Sequence, residues 1–231
     1  GLAAFKAAGA QIWAHRAARE YIENGEGAAR LEQRRRDLSP WVDARAGIVA
    51  PNRWLDGDTS FSLGGLHFDL ITMGPAHAPD DLVVVVRNDQ MLFSGDILFS
   101  GRVPFVGNAD SRRWLATMDR LLELKPALMV PGHGAVSRNP AADLAFTRNY
   151  LRYLRLLQEG KQRYHYSLYA YVLMSNHVHL LVEVSQVPLS RIMHTLRFRY
   201  TSTFSRRHGT TGHLFQGRYK ALLCERDSYV L

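Results

Sequence analysis

The feature that most constrains the fold is a change of pattern near residue 160. Before it, helix patterns alternate with short apolar strand patterns, which is typical of a layered α/β body. After it come two β-rich runs, Tyr166 to Met174 and His177 to Val184, which Ser175-Asn176 separates as in a tight hairpin. A basic helix follows them. A chain that changes in this way is predicted to form two units of different architecture.

The charge divides at the same place. Residues 1–160 contain 19 Lys or Arg and 18 Asp or Glu, whereas residues 161–231 contain 10 and 3, together with ten Tyr or Phe. The second segment therefore carries +7 of the total net charge of +8. A near-neutral body followed by a basic, aromatic-rich segment indicates two different partners, and the basic segment suits a polyanion.

Several function classes are excluded by what the chain contains. No apolar run approaches the roughly 20 residues of a membrane span, and one cysteine, Cys224, excludes an internal disulfide framework and a Cys-rich zinc site. Apolar residues at 46% and charged residues at 22% are ordinary for a globular protein. The first residues contain neither an initiator Met nor a signal-peptide pattern, so we expect a cytoplasmic segment that begins inside a longer gene product, with no membrane partner.

Periodicity and turn residues predict most of the individual elements. Asp110 is expected to cap the helix that starts at Ser111, and Gly160 to stop the helix that starts at Pro140. The predicted elements are a helix from Leu2 to Tyr21, a strand over Leu66–Ile71, a hairpin of Leu82–Arg87 with Gln90–Ser94, a helix from Ser111 to about Leu124, a strand over Leu128–Val130, a helix from Pro140 to about Gln158, a helix over Leu189–Arg207 and a strand-like run over Phe215–Glu225.

Three short motifs in the first half are predicted to lie where strands end. They place His77 after Gly74-Pro75-Ala76, Asp96 after Ser94-Gly95, and His133 inside Pro131-Gly132-His133-Gly134. One carboxylate and two imidazoles on neighbouring strand ends form a mixed nitrogen and oxygen ligand set that suits zinc. Taken singly, each histidine is also typical of a hydrogen-bonded loop residue, and the aspartate of a turn or cap.

In this order and spacing, the motifs resemble the metallo-β-lactamase-fold hydrolase superfamily over residues 1–157. The resemblance implies a partial αββα sandwich and a hydrolase for a small ester, thioester or lactam. It makes His77 a ligand of a first zinc, Asp96 a bridging ligand and His133 a ligand of a second zinc. The superfamily's His-x-His-x-Asp-His segment does not occur in this sequence, so we expect an N-terminally truncated domain without a competent dinuclear centre.

The second half carries its own candidate metal ligands. His177 and His179 are two residues apart on a predicted strand, so both side chains point to one face and could bind one divalent cation. Two surface histidines on a half-exposed strand are the alternative. Candidate phosphate contacts, for which a solvated helix face is the alternative, are Arg191, Arg197, Arg199, Arg206, Arg207, Arg218 and Lys220.

The segment from Tyr169 to Val182, which contains His177-Val178-His179, resembles the IS200-like tyrosine transposases, as does Thr211 to Lys220. The resemblance covers residues 164–231, leaves 158–163 as a junction, and implies a partial ferredoxin-like module truncated at both ends. It also implies Mg²⁺ or Mn²⁺ on the two histidines, single-stranded hairpin DNA as the partner, and cleavage and rejoining through a phosphotyrosine.

The transposase nucleophile is expected beyond Leu231, with Tyr229 and Tyr200 as weaker candidates. Cleavage is therefore expected to be impaired, while DNA binding could survive. The leading interpretation is a DNA-binding, transposase-like protein. The alternatives are a zinc-dependent hydrolase and an inactive fusion fragment, the join being a genuine insertion or a composite of two loci.

Overall fold

The computed structural model describes residues 2–107, 109–174 and 176–224 of the chain. It divides the chain into two compact units, residues 1–149 and 150–231. The sequence predicts two units of different pattern with a junction at residues 158–163. The division in the structure lies nearer the N-terminus, after residue 149. The prediction of mixed α/β and α+β architecture is confirmed. No described helix combines the length and the apolar character that a membrane span requires.

The first unit is built on a five-stranded sheet with strand order β3-β4-β5-β6-β7. The strands β3 to β6 pair antiparallel in sequence, while β6 and β7 pair parallel, and β1 pairs with β2 in a separate parallel ribbon. The elements are α1 Leu2–Ala7, β1 Trp13–His15, α2 Ala18–Glu23, α3 Glu26–Asp37, β2 Arg53–Leu55, β3 Thr59–Leu63, β4 Leu66–Thr72, β5 Leu82–Val86, β6 Met91–Phe99, α4 Ser111–Glu123, β7 Leu128–His133 and the beginning of α5 Pro140–Tyr164.

The core of this unit forms where α4 packs near β6. Asp110 caps α4 as predicted, because its carboxylate accepts hydrogen bonds from the backbone N–H groups of Arg112 and Arg113, each at 3.0 Å. Trp114, one turn into the helix, is completely buried and donates its indole N–H to the Ile97 carbonyl at 2.9 Å. This bond ties the helix to the strand that carries Asp96.

The second unit contains a hairpin and two helices. The remainder of α5 leads to β8 Ser167–Leu173 and β9 Val178–Glu183, which pair antiparallel, and then to α6 Leu189–His208. Tyr153 and Leu157 of α5 form a buried cluster with Met193 and Leu196 of α6. Leu168 and Val182, one from each strand, pack against a second cluster, which consists of Tyr164, Tyr166 and Ile192.

The predicted helix from Leu2 to Tyr21 is wrong. The chain forms α1, then β1, then α2, so a strand occupies the middle of the predicted helix. Gly9 adopts a left-handed conformation with φ of 87°, and its N–H bonds the Lys6 carbonyl at 3.1 Å. A left-handed glycine after the last turn is a common helix end, and in an alanine-rich segment it outweighs the helical periodicity.

The predicted stop at Gly160 is also wrong, since α5 continues to Tyr164. A Cβ on Gly160 would lie 3.1 Å from the Tyr166 hydroxyl oxygen, and that hydroxyl donates to the Leu157 carbonyl at 2.7 Å. The glycine therefore permits the close approach of a tyrosine to the helix. Its role is packing rather than termination.

The strand-like run predicted over Phe215–Glu225 is wrong for the part that can be described. Residues 209–224 form neither helix nor strand. Phe215 and Tyr219 pack against the Tyr153 cluster instead, so the apolar alternation reflects side chains that cover a core. Residue 175, half of the predicted turn signal, and Glu225 lie outside the described residues.

Candidate functional site

Asp96 of β6 and His133 of β7 lie side by side on two paired strands. Gly95 is paired with Pro131 and Phe99 with His133, with irregular register between these pairs. Asp96 therefore lies within β6 at a bulge, and the prediction that it follows the strand is wrong, whereas His133 does end β7. A bulge can turn a side chain out of the regular alternation.

Two glycines allow β7 to approach β6 this closely. A Cβ on Gly132 would collide with the Asp96 carboxylate, and one on Gly134 would collide with the Ser100 carbonyl. Gly134 also has a φ of 98°, which side chains rarely tolerate. The result is a distance of 3.6 Å between His133 Nε2 and Asp96 Oδ1, with the histidine side chain 51% exposed.

His77 lies in the loop after β4, half-buried among aromatic rings. Its ring centroid is 5.3 Å from that of Trp114 and 5.9 Å from that of Phe99, and the Phe99 ring stacks on His133 at 5.1 Å. Phe99 thus contacts both histidines. Nearby, burial raises the pKa of Asp81, which accepts a hydrogen bond from the backbone of Ala78 at 2.9 Å.

These donors do not assemble into the predicted ligand set. Across the described ranges, no three His, Cys, Asp or Glu side chains form a group that could hold a metal ion. Asp96 and His133 contact each other, whereas the half-buried ring of His77 packs against the rings of Trp114 and Phe99. The donors present do not fit a dinuclear zinc centre.

In the second unit, the two histidines do converge. His179 lies in β9 and His177 immediately precedes the strand, and their Nε2 atoms are 3.0 Å apart. Both side chains are exposed. The expectation that they share a face agrees with this placement, while the binding of a metal stays a prediction.

Asn176 orients the first histidine, which the sequence reasoning missed. Its carboxamide oxygen can only accept, so His177 Nδ1–H is the donor in their 2.7 Å hydrogen bond. That tautomer leaves a lone pair on His177 Nε2, which accepts a 3.0 Å hydrogen bond from His179 Nε2–H. The sequence pattern predicts Asn176 only as a turn residue, although an amide directly before a histidine also indicates this role.

The seven predicted phosphate contacts fall into two groups. Arg199 donates to Glu159 at 2.7 Å, and Arg197 lies 4.9 Å over the Phe215 ring. Burial acts to raise the pKa of Glu159, but hydrogen bonds from Arg155 and Arg199 outweigh it and lower that pKa. The remaining candidates are exposed to solvent, and they are Arg191, Arg206, Arg207, Arg218 and Lys220.

The two weaker nucleophile candidates differ in what the structure describes. Tyr200 is half-buried, its ring 5.3 Å from that of Tyr153, and burial raises the pKa of its hydroxyl. A raised pKa disfavours the phenolate that would attack a phosphate. Tyr229 lies outside the described residues.

Two family models match the chain one after the other. Residues 1–133 match the metallo-beta-lactamase superfamily, and residues 143–230 match the IS200-like transposases. The second match begins inside α5, before the predicted boundary at Tyr164. Similarity to metallo-beta-lactamases implies metal dependence, usually on zinc, for proteins of that kind.

Curated relatives match only part of the chain. A metallo-beta-lactamase type 2 from Bacteroides fragilis is 30% identical over 93 residues, which are 38% of this chain and 37% of that protein. A beta-lactamase-like protein 2 homolog from Drosophila melanogaster is 34% identical over 77 residues, 33% of this chain and 25% of that protein. The chain thus spans well under half the length of these relatives.

Solved structures with similarity to the chain include two metallo-beta-lactamases. The enzyme from Pontibacter korlensis has 24% identity and a TM-score of 0.41, covering 53% of this chain and 62% of its own. The IND-7 enzyme has 19% identity and a TM-score of 0.46, covering 65% and 61%. From the family models, the chain belongs to the metallo-beta-lactamase superfamily and carries an IS200-like transposase domain after that region.

Proposed function

We propose that the second unit binds single-stranded DNA and that His177 and His179 hold a divalent cation against a DNA phosphate. The observation that carries the proposal is the 3.0 Å separation of the Nε2 atoms of two exposed histidines at the start of β9. Asn176 holds one ring in the tautomer that a metal ligand requires, because Nδ1 keeps the proton.

The spacing fits two neighbouring ligands of an octahedral ion. Ligands about 2.1 Å from a cation and at right angles to each other are about 3.0 Å apart. The same separation suits Mg²⁺ or Mn²⁺, and the positions left open would accept phosphate and water oxygens. When bound, the cation would neutralise phosphate charge and polarise the phosphorus–oxygen bond.

The charge of the second unit supports a polyanionic partner. Residues 161–231 carry a net +7, and five of the candidate phosphate contacts are exposed to solvent. Arg197 and Arg199 contact Phe215 and Glu159, and we assign them to positioning α6 rather than to DNA. The match to the transposase family supports DNA over other polyanions.

The proposal is limited to binding and phosphate neutralisation. Tyr200 is half-buried against Tyr153, and burial raises the pKa of its hydroxyl, which is unfavourable for a nucleophile. We therefore propose no phosphotyrosine step through Tyr200. Tyr229, the other weaker candidate, lies outside the described residues.

A zinc-dependent hydrolase in the first unit is the second candidate. Family membership favours it, and Asp96 and His133 lie side by side. The donor set described above does not complete a zinc centre, so we rank this function below DNA binding and derive no hydrolytic step from it.

Fluorescence anisotropy with a labelled hairpin-bearing single strand tests the proposal. The chain should bind in Mn²⁺, and chelation of the ion should weaken binding. His179→Ala should give the weaker affinity even with Mn²⁺ present, because one of two cation ligands is lost.

His133→Ala is the matched control, since it removes an exposed histidine at a strand end of the first unit. Its DNA affinity and Mn²⁺ response should equal those of the wild type. Equal affinity of the wild type and His179→Ala, with no response to Mn²⁺, would contradict the proposal.

A further inference from the structure

Phe198 is exposed on α6 without any function assigned so far. Its side chain is 65% exposed, although the helix buries Ile192, Met193 and Leu196 on another face. The Phe198 ring is parallel to that of His194, with an interplanar angle of 4° and centroids 6.3 Å apart. An exposed aromatic ring with a second flat ring aligned beside it is a surface on which another planar group can stack.

The two rings share their helix face with a cation. Arg191, His194 and Phe198 are spaced by three and four residues, which brings them to one side of an α-helix. Arg191 is exposed to solvent, as are His194 and Phe198. One face of α6 therefore presents a positive charge and two flat rings in a row about two turns long.

We propose that Phe198 and His194 form a stacking platform for an unpaired base of single-stranded DNA, with Arg191 contacting the adjacent phosphate. The inference rests on the proposed function and adds to it a base-binding site separate from the His177–His179 pair. Every base has a π-face, so stacking of this kind tolerates different sequences. Duplex DNA hides the faces of its bases, so the platform selects single strands.

The packing of α6 holds the platform in place. Met193 and Leu196 are buried with Tyr153 and Leu157 of α5, and the Arg199–Glu159 ion pair links the same two helices. The face opposite to these contacts is fixed toward solvent. Stacking of a base on Phe198 would cost little side-chain conformational entropy, because phenylalanine has only two side-chain torsions to fix.

Charge argues for DNA as the occupant rather than for an apolar partner. The unit's few acidic residues include Glu159, which is already paired with arginine, and Glu183, which accepts from the Tyr169 hydroxyl. The platform lies on a helix whose last turn contains Arg206, Arg207 and His208. Arg191 is the cation that shares the face of Phe198, since seven residues bring the two side chains to within about 20° of each other around the helix. A phosphate held at Arg191 would leave a neighbouring base beside the Phe198 ring.

Phe198→Ala in the full chain tests the platform against two oligonucleotides. One is a labelled thymidine strand, and the other has the same length and abasic sites throughout. The variant should bind the thymidine strand about tenfold more weakly than the wild type does, and the abasic strand with unchanged affinity. Phe198→Trp should retain the thymidine affinity, while Phe198→Leu, apolar but without a ring, should behave like Phe198→Ala.

Phe105→Ala is the control, because Phe105 is 63% exposed and lies in the first unit; its affinity for both strands should equal that of the wild type. Two different results would contradict the proposed stacking platform. If the wild type binds both strands and Phe198→Ala weakens neither or both equally, the platform alone is wrong. If the wild type binds neither strand, the proposed function fails together with it.

Discussion

The two histidine sites differ in how their geometry arises. His177 and His179 meet at 3.0 Å at the start of β9, where residues two apart point to the same side. Asp96 and His133 meet at 3.6 Å through two strands, a bulge and close-packed glycines. His77, in a third segment, is enclosed by aromatic rings. The pair in the second unit depends on the geometry of one short segment, while the predicted zinc ligands depend on β6, β7 and the loop after β4 at once.

The chemistry of the two pairs differs as well. The Asp96 carboxylate and the His133 imidazole lie 3.6 Å apart, which is longer than a hydrogen bond. The two imidazoles of the second pair share one proton between Nε2 atoms that are 3.0 Å apart, and a cation that replaced this proton would meet both nitrogens at once. The second pair therefore offers two nitrogen ligands to one cation.

A substitution in the core of the first unit should strongly reduce stability without changing DNA binding by the second unit. Trp114→Ala should lower the free energy of unfolding by about 3–5 kcal/mol, because it empties a completely buried site in the first unit. At a temperature where the variant remains folded, its DNA affinity should be unchanged. Urea unfolding and anisotropy on the same samples check both statements, and a DNA affinity that falls together with stability would show that the two units are not independent.

Salt should have the next largest effect. Five exposed basic side chains that contact phosphates give a slope near −3.5 for a single strand, so raising salt from about 50 to 200 mM should weaken binding about a hundredfold. Anisotropy titrations at several salt concentrations measure the slope. A slope near zero would show that the basic residues of the second unit do not contact phosphates.

Asn176→Ala should weaken metal binding at the His177–His179 pair. Without the hydrogen bond to Asn176, the proton of His177 can occupy either Nδ1 or Nε2. The affinity for Mn²⁺ should therefore fall about tenfold. Calorimetric titration of Mn²⁺ in the presence of DNA measures it. Asn88→Ala is the matched control, because Asn88 accepts from the His67 backbone at 2.8 Å in the first unit, and this variant should retain wild-type affinity.

The smallest effect concerns pH. The pKa of Glu159 is lowered from 4.5 in the folded state, so its contribution to stability is complete above pH 4.5 and is lost as pH falls through the lower folded value. Glu159→Gln should therefore reduce stability at about pH 6 and have less effect near pH 3. Urea midpoints of both proteins at the two pH values test this, and an equal difference at both would contradict it.

The sequence predicts elements whose signals are local. The Asp110 cap, the strand at Leu128 and the basic helix beginning at Leu189 agree with the structure. Gly160 misled the prediction because its role depends on Tyr166, a residue that reaches it only after the chain folds back. The bulge at Asp96 requires a partner strand that is distant in sequence. Asn176 was missed because its side chain was interpreted through turn chemistry alone.

Electron paramagnetic resonance of Mn²⁺ shows whether the His177–His179 pair holds the cation. With a hairpin-bearing single strand present, the wild type should bind Mn²⁺, and the bound signal should be lost in His179→Ala and kept in His133→Ala and Asp96→Ala. Loss of the bound signal in His133→Ala or Asp96→Ala, with retention in His179→Ala, would contradict the account and assign the metal to the first unit.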